Sequence, residues 1–450
     1  MNTQQNKTNI DLKILEEYVT RLVEVNETKK VFVTKDIFNE ENNLIVPKGS
    51  VIDELSRNHI IKSPLKNDFD KCIAIDNEIG GIELFECIQG YLEDHPSYLH
   101  IHTLLNLDSH LRFLCNSYQQ IPILRQKITV LALQLPTHFN RSLGVAWFSL
   151  LISRQKQLNE EEIQSAFLAG LCMDIGFLHL PSFNDSEAPR WTQSHTIIGW
   201  RILKDINELN NDVSLAVLEH HERCDGCGFP KASIANELGL LGQIVGMSCF
   251  IIDQQHVQGN ESSNTRNANL HSIIPALQVN ASVHRYDIYE TIITLIRKTS
   301  QEKASVLSNE NIKNLIDDIL EKTKLLIPWV DTLDNMLTTY TGNYQNKTFR
   351  SIKQSYTHLL STIHGAGLLD STATQWLNNV KNKKLECDFK EVENFDQFIN
   401  ELQRHLIYIT SQCKHLVVDI KNTTDNNSDR RALSYNESWN QSLAKIESLR

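Results

Sequence analysis

Two adjacent histidines open an eleven-residue segment, HHERCDGCGFP, that runs from His220 to Pro230. The segment combines imidazoles, an acidic side chain and a glycine-punctuated turn, a set that metal-dependent phosphate chemistry uses and core packing does not require. Adjacent helix positions project about 100° apart, so His220 and His221 can face two neighbouring metals, or one metal from two sides. The segment therefore predicts part of a metal site whose other ligands come from elsewhere in the chain.

Two upstream motifs supply further candidate ligands. Asp174 lies in LAGLCMDIGFLHLP, residues 168–181, at the end of an apolar helix and before a glycine turn that a proline closes. A buried carboxylate there must be paired or bound to metal, because an unpaired buried charge is expensive. His195 opens HTIIG at the start of another helical stripe. With His220 and His221, these residues give one carboxylate and three imidazoles, ligands that suit hard to borderline metal ions.

These motifs resemble the HD-GYP family, the branch of the HD-domain metal-dependent phosphohydrolases associated with bacterial cyclic di-GMP turnover. HHERCDGCGFP corresponds to the family signature HHE-x-x-DG-x-GYP, with Phe229 in place of the tyrosine and Pro230 retained. HTIIG corresponds to HPxxG without its proline, and AGLCMDIGFLHLP corresponds to ALLHDIGKIGIP. The match covers about residues 136–253. The resemblance implies a mainly α fold with an all-helical HD-GYP-like domain.

Four positions depart from the family pattern. Met173 stands where the HD doublet has its histidine, and Phe177 replaces the lysine thought to assist at the phosphate. The first ligand histidine of the family falls on Arg141, and a ligand aspartate falls on Cys249. By this alignment the chain keeps four of seven ligand positions, and these are Asp174, His195, His220 and His221. The resemblance therefore implies a degenerate member.

These departures limit the metal that the site can hold. A dinuclear centre needs most of its ligand set, so the resemblance favours no metal or a single divalent ion, with Fe, Mn or Zn as candidates. Met173 offers a poor ligand for hard ions, and Arg141 brings a permanent positive charge that repels a nearby cation. We expect Arg141 to pair with Asp174 or another retained carboxylate. His138 lies three residues from Arg141, and Asp253 lies four residues late, so neither falls on a ligand position.

Two interpretations of the retained residues stay open: a residual single-metal site, or former ligands that now form hydrogen bonds within the core. Cys249 is either a soft ligand that joins the histidines around zinc or, as we favour, a small buried hydrophobe. Cys224 and Cys227 form a CxxC pair, but the chain has no second CxxC, so we favour neither a metal nor a redox role for them.

Four residues of the signature turn are predicted to shape it. Glu222 and Asp225 are expected to organise the turn through hydrogen bonds, in support of the ligands. Gly226 and Gly228 are expected to adopt backbone conformations that are closed to other residues.

The composition excludes several classes of protein. The net charge of -11 argues against a protein that binds a nucleic-acid polymer through its phosphates. The longest apolar stretches, such as residues 144–153, are about half of the roughly 20 residues that a membrane-spanning helix needs. The polar start of the chain has no apolar signal core. We therefore expect a cytoplasmic protein without a membrane span, whose nine cysteines are mostly reduced thiols.

Hydrophobic periodicity predicts the organisation of the chain. A helix is expected over residues 10–25, a hairpin from residues 31–38 and 44–53, and a further strand over residues 71–75. Pro136 and Pro328 are expected to break helices. The predicted parts begin with an N-terminal helix and a small β-rich module over 1–78, followed by a helical connector over 79–135. The HD-GYP-like domain is predicted over 136–258, with an extension to about 302 left open. A polar loop or linker over 259–284 and a helical region over 285–450 complete the chain.

Two functions from different classes follow. We favour a non-catalytic regulatory or interaction protein in cyclic di-GMP signalling, because the substitutions at Arg141, Met173, Phe177 and Cys249 occur together. The alternative is a residual metal-dependent phosphodiesterase that opens a cyclic dinucleotide, with Arg141 as a phosphate clamp and Asp174 in the catalytic site. A variant between the two binds the nucleotide without hydrolysing it. The C-terminal helices are expected to form their own core rather than a partner groove, with a protein partner there left open.

Overall fold

A computed structural model of the chain is mainly helical, as the sequence predicts. It describes residues 2–62, 64–66, 68–181, 188–261, 270–299, 305, 307–339, 346–368, 372–383, 388–424 and 439–446. The chain forms two compact units. The first comprises Met1–Glu222, Phe229–Lys231 and Leu238–Ala268, and the second comprises Arg223–Gly228, Ala232–Glu237 and Asn269–Arg450.

The first unit begins with a long helix and four short strands. The elements are α1 (Asn2–Asn26), β1 (Val31–Val33), β2 (Ile37–Phe38), β3 (Leu44–Val46), α2 (Glu54–Ile60) and β4 (Ile73–Ile75). Tyr18, Val19 and Leu22 bury one face of α1, which confirms the amphipathic helix. The strands form two antiparallel pairs, β1 with β4 and β2 with β3.

The predicted hairpin is therefore only partly correct. Residues 31–38 are not one strand, because the chain bends between β1 and β2 and the two strands join different pairs. Val31 and Val33 are buried on one side of β1, where they pair with Ile75 and Ile73. Because opposite residues of a strand pair lie on the same face of the sheet, these cross-strand pairs bring four buried apolar side chains together and favour the pairing of β1 with β4.

Nine helices of the first unit follow among the described residues. They are α3 (Gly81–Glu93), α4 (Pro96–Leu104), α5 (Asp108–Gln119), α6 (Pro122–Gln134), α7 (Pro136–Gln155), α8 (Glu160–Cys172), α9 (Ala188–Leu203), α10 (Asn211–Glu219) and α11 (Leu240–Glu261). Pro136 separates α6 from α7, as predicted, and occupies the first turn of α7, where its missing N–H leaves no hydrogen bond unmade. The domain boundaries predicted at residues 78 and 135 both fall inside the first unit. They stay predictions.

The second unit is built from long helices around its own core. They are α12 (Ile274–Val279), α13 (Tyr286–Thr299), α14 (Asn309–Thr338), α15 (Lys347–Gly365), α16 (Thr372–Lys383) and α17 (Phe389–Thr424), with helical residues at 439–446. Ile316, Leu333, Phe349, Leu402 and Leu406 are among the buried core residues. The prediction that these apolar stripes form an intramolecular core is confirmed.

Two expectations for this part of the chain need correction. The predicted loop over residues 259–284 contains α12, because Pro275 suits the first turn of a helix and Leu277 is buried; residues 262–269 lie outside the described part. Pro328 does not break a helix, since α14 continues through it with Trp329 and Leu333 buried on its inner face. Tertiary burial outweighs the local preference there.

Candidate metal centre

Three histidines lie together in the first unit. His195 comes from α9, while His220 and His221 follow directly on the end of α10. Their ligand atoms all lie within 4.8 Å of one another. The Nε2 atoms of His195 and His220 are 3.3 Å apart. Two nitrogen ligands on one tetrahedral ion at about 2.05 Å would also be about 3.3 Å apart, so this spacing suits a shared metal.

The ring of His220 is oriented for metal binding. Its Nδ1 donates a hydrogen bond to the Val217 carbonyl oxygen at 2.7 Å, which directs Nε2 towards His195. A backbone acceptor on one ring nitrogen is the usual way in which proteins fix a ligand histidine. Burial, followed by the neighbouring His195, lowers the pKa of His220 to about 3. Burial and His220 likewise lower the pKa of His221. Both rings are therefore neutral at pH 7, which is the form that binds metal.

A close backbone approach positions His195. Gly176 lies in the 3₁₀ turn Ile175–His179, and a Cβ atom at this position would collide with the carbonyl oxygen of His195. Only glycine lets the turn and α9 approach this closely. This glycine therefore fixes the separation between the turn that follows Asp174 and the first histidine of the cluster.

Asp174 directly precedes this turn and is 1% exposed. Its Oδ2 accepts hydrogen bonds from Arg141 Nη1 at 3.0 Å and from His138 Nδ1 at 2.9 Å. Its Oδ1 is buried, forms no hydrogen bond and lies 3.9 Å from His195 Nε2. Burial alone would raise the pKa of Asp174, but Arg141 and the His138 hydrogen bond outweigh it and lower that pKa well below its usual range. The carboxylate is therefore ionised, with one oxygen turned towards the cluster.

Arg141 pairs with two carboxylates, Asp174 and Asp253. Besides Asp174, its Nε and Nη2 atoms donate to Asp253 Oδ1 and Oδ2 at 2.8 and 2.9 Å. Arg141 lies on α7 and Asp253 on α11, so this two-point contact joins the two helices. It is the fork-on-carboxylate geometry that arginine favours.

His138 and Asp253 are the functional candidates that the alignment set aside. His138 lies three residues before Arg141 on α7, and Asp253 lies four residues after Cys249 on α11. Residues three or four apart share one face of a helix, so both side chains can reach the space that faces the aligned position. This spacing was the signal that could have identified them.

The two sulfur-bearing substitutions contact each other. Cys249 Sγ lies 3.0 Å from Met173 Sδ, and both residues are buried. Burial raises the pKa of the Cys249 thiol, which keeps it protonated. Among the described residues, neither Asp174 nor Cys249 belongs to the 4.8 Å ligand group. The geometry therefore favours a buried apolar role for Cys249, while the zinc-ligand alternative stays a prediction.

Phe177 fills the space between two imidazoles. Its ring stacks on His195 with centroids 4.3 Å apart, and it lies against His138 at 4.4 Å in a tilted arrangement. In the motif that this chain resembles, this position carries a lysine. Relative to that motif, an aromatic ring that packs on the candidate ligand His195 stands in place of a cation.

The two ends of the signature turn support the cluster from within the first unit. Glu222 accepts a hydrogen bond from the backbone N–H of Lys231 at 2.6 Å. Phe229 donates its backbone N–H to the His221 carbonyl oxygen at 3.2 Å, and its ring stacks on His221 at 4.6 Å. The Phe229–Pro230 peptide bond is cis. Phe229, which stands at the position of the signature tyrosine, thus packs against the His221 ring.

The middle of the turn, Arg223–Gly228, belongs to the second unit. Asp225 accepts hydrogen bonds from the Arg223 guanidinium at 2.6 Å, the Cys227 backbone N–H at 3.0 Å and the Ser355 hydroxyl at 2.9 Å. Gly226 has φ +74°, a left-handed conformation that favours glycine, whereas Gly228 lies outside the positive-φ region. The expected left-handed conformation is thus present at Gly226, whereas Gly228 has no positive φ.

Cys224 and Cys227 form no disulfide bond. Burial, followed by the Asp225 carboxylate, raises the pKa of Cys224 to about 11 and that of Cys227 to about 12. Thiols with a raised pKa are poor nucleophiles and poor metal ligands. The predicted absence of a metal or redox role stays a prediction that these surroundings favour.

The donor set could hold a divalent ion. His195, His220 and His221 offer neutral imidazoles, and Asp174 Oδ1 is a buried acceptor without a partner. An ion held by these residues would act as a Lewis acid towards a bound oxygen ligand. The Arg141 guanidinium, on the other oxygen of Asp174, already supplies positive charge there.

Residues 125–287 match the HD domain family. The chain contains an HD domain. Over 122 residues it is 29% identical to "Cyclic di-GMP phosphodiesterase PA4108" of Pseudomonas aeruginosa, a match that covers 26% of this chain and 29% of the relative. Over 130 residues it is 25% identical to "Cyclic di-GMP phosphodiesterase PdeB" of Borreliella burgdorferi, covering 26% of this chain and 34% of the relative. The chain therefore spans about a third or less of the length of these relatives.

The described helices give no membrane span. Each of them is too short or too polar to cross a bilayer.

Proposed function

We propose that this chain is a regulatory or interaction protein of cyclic di-GMP signalling, with an HD domain that does not hydrolyse the nucleotide. The proposal also assigns one divalent ion, and not two, to the histidine cluster. Cyclic di-GMP as the related ligand rests on the names of the two relatives and on the HD-GYP motifs.

The contact between Arg141 and two carboxylates carries this proposal. Asp174 and Asp253 together neutralise a guanidinium on the side of the site where the resemblance implies a metal ligand at position 141. Arginine stays protonated at every physiological pH, so the charge cannot be titrated away to admit a cation. Two metals need most of their ligand set and open positions to activate water between them. A fixed guanidinium at this position repels a second cation, so the site has room for one ion.

The surroundings of Phe177 support the same conclusion. A phosphate in this site would meet an aromatic ring where the resemblance implies a lysine. Loss of a positioned cation removes stabilisation of the charge that develops during phosphoryl chemistry. The substitution therefore weakens catalysis even when one metal is bound.

One observation favours the second candidate, a residual phosphodiesterase. The 3.3 Å spacing of His195 and His220, with the partnerless Oδ1 of Asp174 nearby, is the arrangement of a mononuclear hydrolytic site. In that case Arg141 would clamp a phosphate oxygen in addition to its carboxylates.

Metal content and turnover separate the two functions. The purified chain is stripped with a chelator, loaded in turn with Mn²⁺, Fe²⁺ or Zn²⁺, desalted and analysed for metal, and then assayed for cyclic di-GMP hydrolysis. We expect about one equivalent of metal, as for a single site, and no hydrolysis. His220→Ala should lower the metal content to below about a tenth of an equivalent. His59→Ala, an exposed histidine on α2, is the matched control and should retain it.

Hydrolysis that disappears in His220→Ala and persists in His59→Ala would contradict the regulatory function. About two equivalents of metal in the unmodified chain would contradict the role given to Arg141.

A further inference from the structure

The first helix of the chain contacts the turn that follows Asp174. Arg21 on α1 donates from Nε to the Leu178 carbonyl oxygen at 3.2 Å and from Nη2 to the Leu180 carbonyl oxygen at 3.0 Å. His179 Nδ1 donates to the Ile14 carbonyl oxygen of the same helix at 3.0 Å. Three hydrogen bonds thus tie α1 to the segment that begins directly after Asp174.

A fully buried lysine completes this attachment. Lys127 on α6 donates from Nζ to Asp70 Oδ1 at 2.9 Å and to His179 Nε2 at 3.2 Å. The same ammonium group lies 3.3 Å from the centre of the Tyr18 ring, and Tyr18 stacks on His179 at 4.6 Å. Because Nδ1 of His179 is the donor to Ile14, Nε2 is free to accept from lysine. Burial and the Lys127 ammonium lower the pKa of His179, which agrees with a neutral ring.

The polarity of this contact distinguishes it from ordinary packing. A buried lysine–carboxylate pair adds little net stability compared with apolar side chains, yet loss of either partner is strongly destabilising. The energy of such a contact therefore depends on both partners being in place. The contact thus specifies how α1 and the segment around Asp70 sit on the turn, more than it adds to the stability of the fold.

The same turn contacts the candidate metal centre directly. Asp174 is the residue before the turn, and Phe177 within it stacks on His195. Gly176 lies against the His195 backbone, so the turn and the ligand cannot shift independently. A change at α1 therefore moves a ligand carboxylate and a ligand imidazole together.

We propose that Arg21, Asp70, Lys127 and His179, here called the latch, are positioning residues that couple the N-terminal helix and β-containing segment to the metal centre. The metal part of this inference rests on the proposed function. Release of the latch loosens the turn and weakens metal binding. Because coupling between two sites is reciprocal, a bound ion also stabilises the attachment of α1.

The test uses the full chain and two readouts. Hydrogen–deuterium exchange of the segment 174–181, whose last residue is a proline without an N–H, is measured in metal-free protein. The Mn²⁺ dissociation constant is measured by competition with a chelator. Arg21→Met should speed exchange in the turn and weaken Mn²⁺ binding about tenfold, the usual effect of losing a group that orients a ligand. Arg57→Met is the matched control, because Arg57 of α2 contacts Glu16 and Thr20 of α1 but not the turn. It should leave both quantities within about twofold.

A second variant protects the test against misfolding. Lys127→Met combined with Asp70→Asn removes both charges of the buried pair at once, so no unpaired charge remains. It should reproduce the faster exchange of Arg21→Met. Exchange in residues 174–181 that equals that of the unmodified chain in both variants would overturn the latch. Absence of Mn²⁺ binding in the unmodified chain would overturn the single-ion part of the proposed function, while the exchange readout still decides the latch.

Discussion

Arg141 makes the contact that most changes the interpretation of the site. Its guanidinium lies between Asp174 and Asp253, and its Nη1 also lies 3.5 Å from Met173 Sδ. Burial alone would lower the pKa of Arg141, but Asp174 and the other nearby acidic groups raise it well above its usual value. The residue therefore acts as a fixed internal cation. The sequence predicted a pairing with Asp174 or another retained carboxylate, and in the structure Arg141 contacts both Asp174 and Asp253.

Restoring the lost ligands should restore metal binding at this position. The triple variant Arg141→His, Met173→His, Cys249→Asp removes the fixed cation and the two sulfur side chains and returns three ligand types. We expect its metal content to rise from about one to about two equivalents of Mn²⁺, measured by elemental analysis after desalting.

The control is that the triple variant remains folded. Its helical content, measured by circular dichroism, should equal that of the unmodified chain. A folded triple variant that gains no metal would show that Arg141, Met173 and Cys249 are not the positions of the lost ligands.

At the scale of elements, the site depends on the approach of the 3₁₀ turn to α9. Gly176 and His195 come from elements that the alignment treats as separate motifs, and the structure brings their backbones into contact. The contact places Asp174 Oδ1 near His195. Gly176 thus sets how closely the turn after Asp174 approaches His195.

Gly176→Ala should therefore disturb the site and the fold together. The added methyl group must displace α9, and overpacking of this kind costs about 1–3 kcal/mol of unfolding free energy. We also expect weaker Mn²⁺ binding, because His195 moves away from its partners. Urea unfolding and chelator competition measure the two effects.

Gly90→Ala is the matched control. Gly90 lies in α3, and no atom outside its own helix lies within 4 Å of an added Cβ. Alanine is the better helix former, so this variant should gain up to about 1 kcal/mol with unchanged metal binding. Equal behaviour of the two variants would contradict the close approach at Gly176.

At the scale of the whole molecule, the second unit contains a buried polar network of its own. Ser355 donates to Asp225 at 2.9 Å and contacts His405 Nε2 at 3.2 Å, and Tyr408 donates to the Cys227 carbonyl oxygen at 2.6 Å. Burial alone would raise the pKa of Asp225, but the Arg223 guanidinium outweighs it and lowers that pKa. The conformation of residues 223–228 is thereby fixed by helices α15 and α17.

This network should make stability depend on pH through His405. Burial, followed by Arg223, lowers the pKa of His405 to about 4, below the value of about 6.5 for an unfolded chain. Between these values the unfolded state binds more protons, so the free energy of unfolding falls as pH falls from about 6.5 towards 4. At pH 5 the loss from this group is on the order of 2 kcal/mol.

His405→Gln should remove that loss. The free energy of unfolding is measured with urea at pH 7.5 and pH 5.0 for the unmodified chain and for this variant. The difference between the two proteins should be smaller by about 2 kcal/mol at pH 5.0. His415→Gln, at an exposed histidine of the same helix, is the control and should leave the pH dependence unchanged. A difference that stays constant between the two pH values would mean that His405 is not a buried neutral group.

The sequence by itself determined the helical class and the HD domain, and it predicted Asp174, His195, His220 and His221 as candidate ligands. These follow from local periodicity and from motifs whose members lie within about a dozen residues, where spacing along a helix fixes which side chains can meet.

Only the tertiary structure decided what surrounds those residues. Arg141 and Asp253 lie 112 residues apart, and Lys127 and His179 lie 52 apart, so no local pattern links them. An alignment compares positions one by one, whereas a helix presents residues three or four apart to the same space, which is how His138 and Asp253 reached the site off register. Whether a buried charge meets a metal, a carboxylate or a lysine depends on which elements pack together, and that packing decided the environment of Asp174.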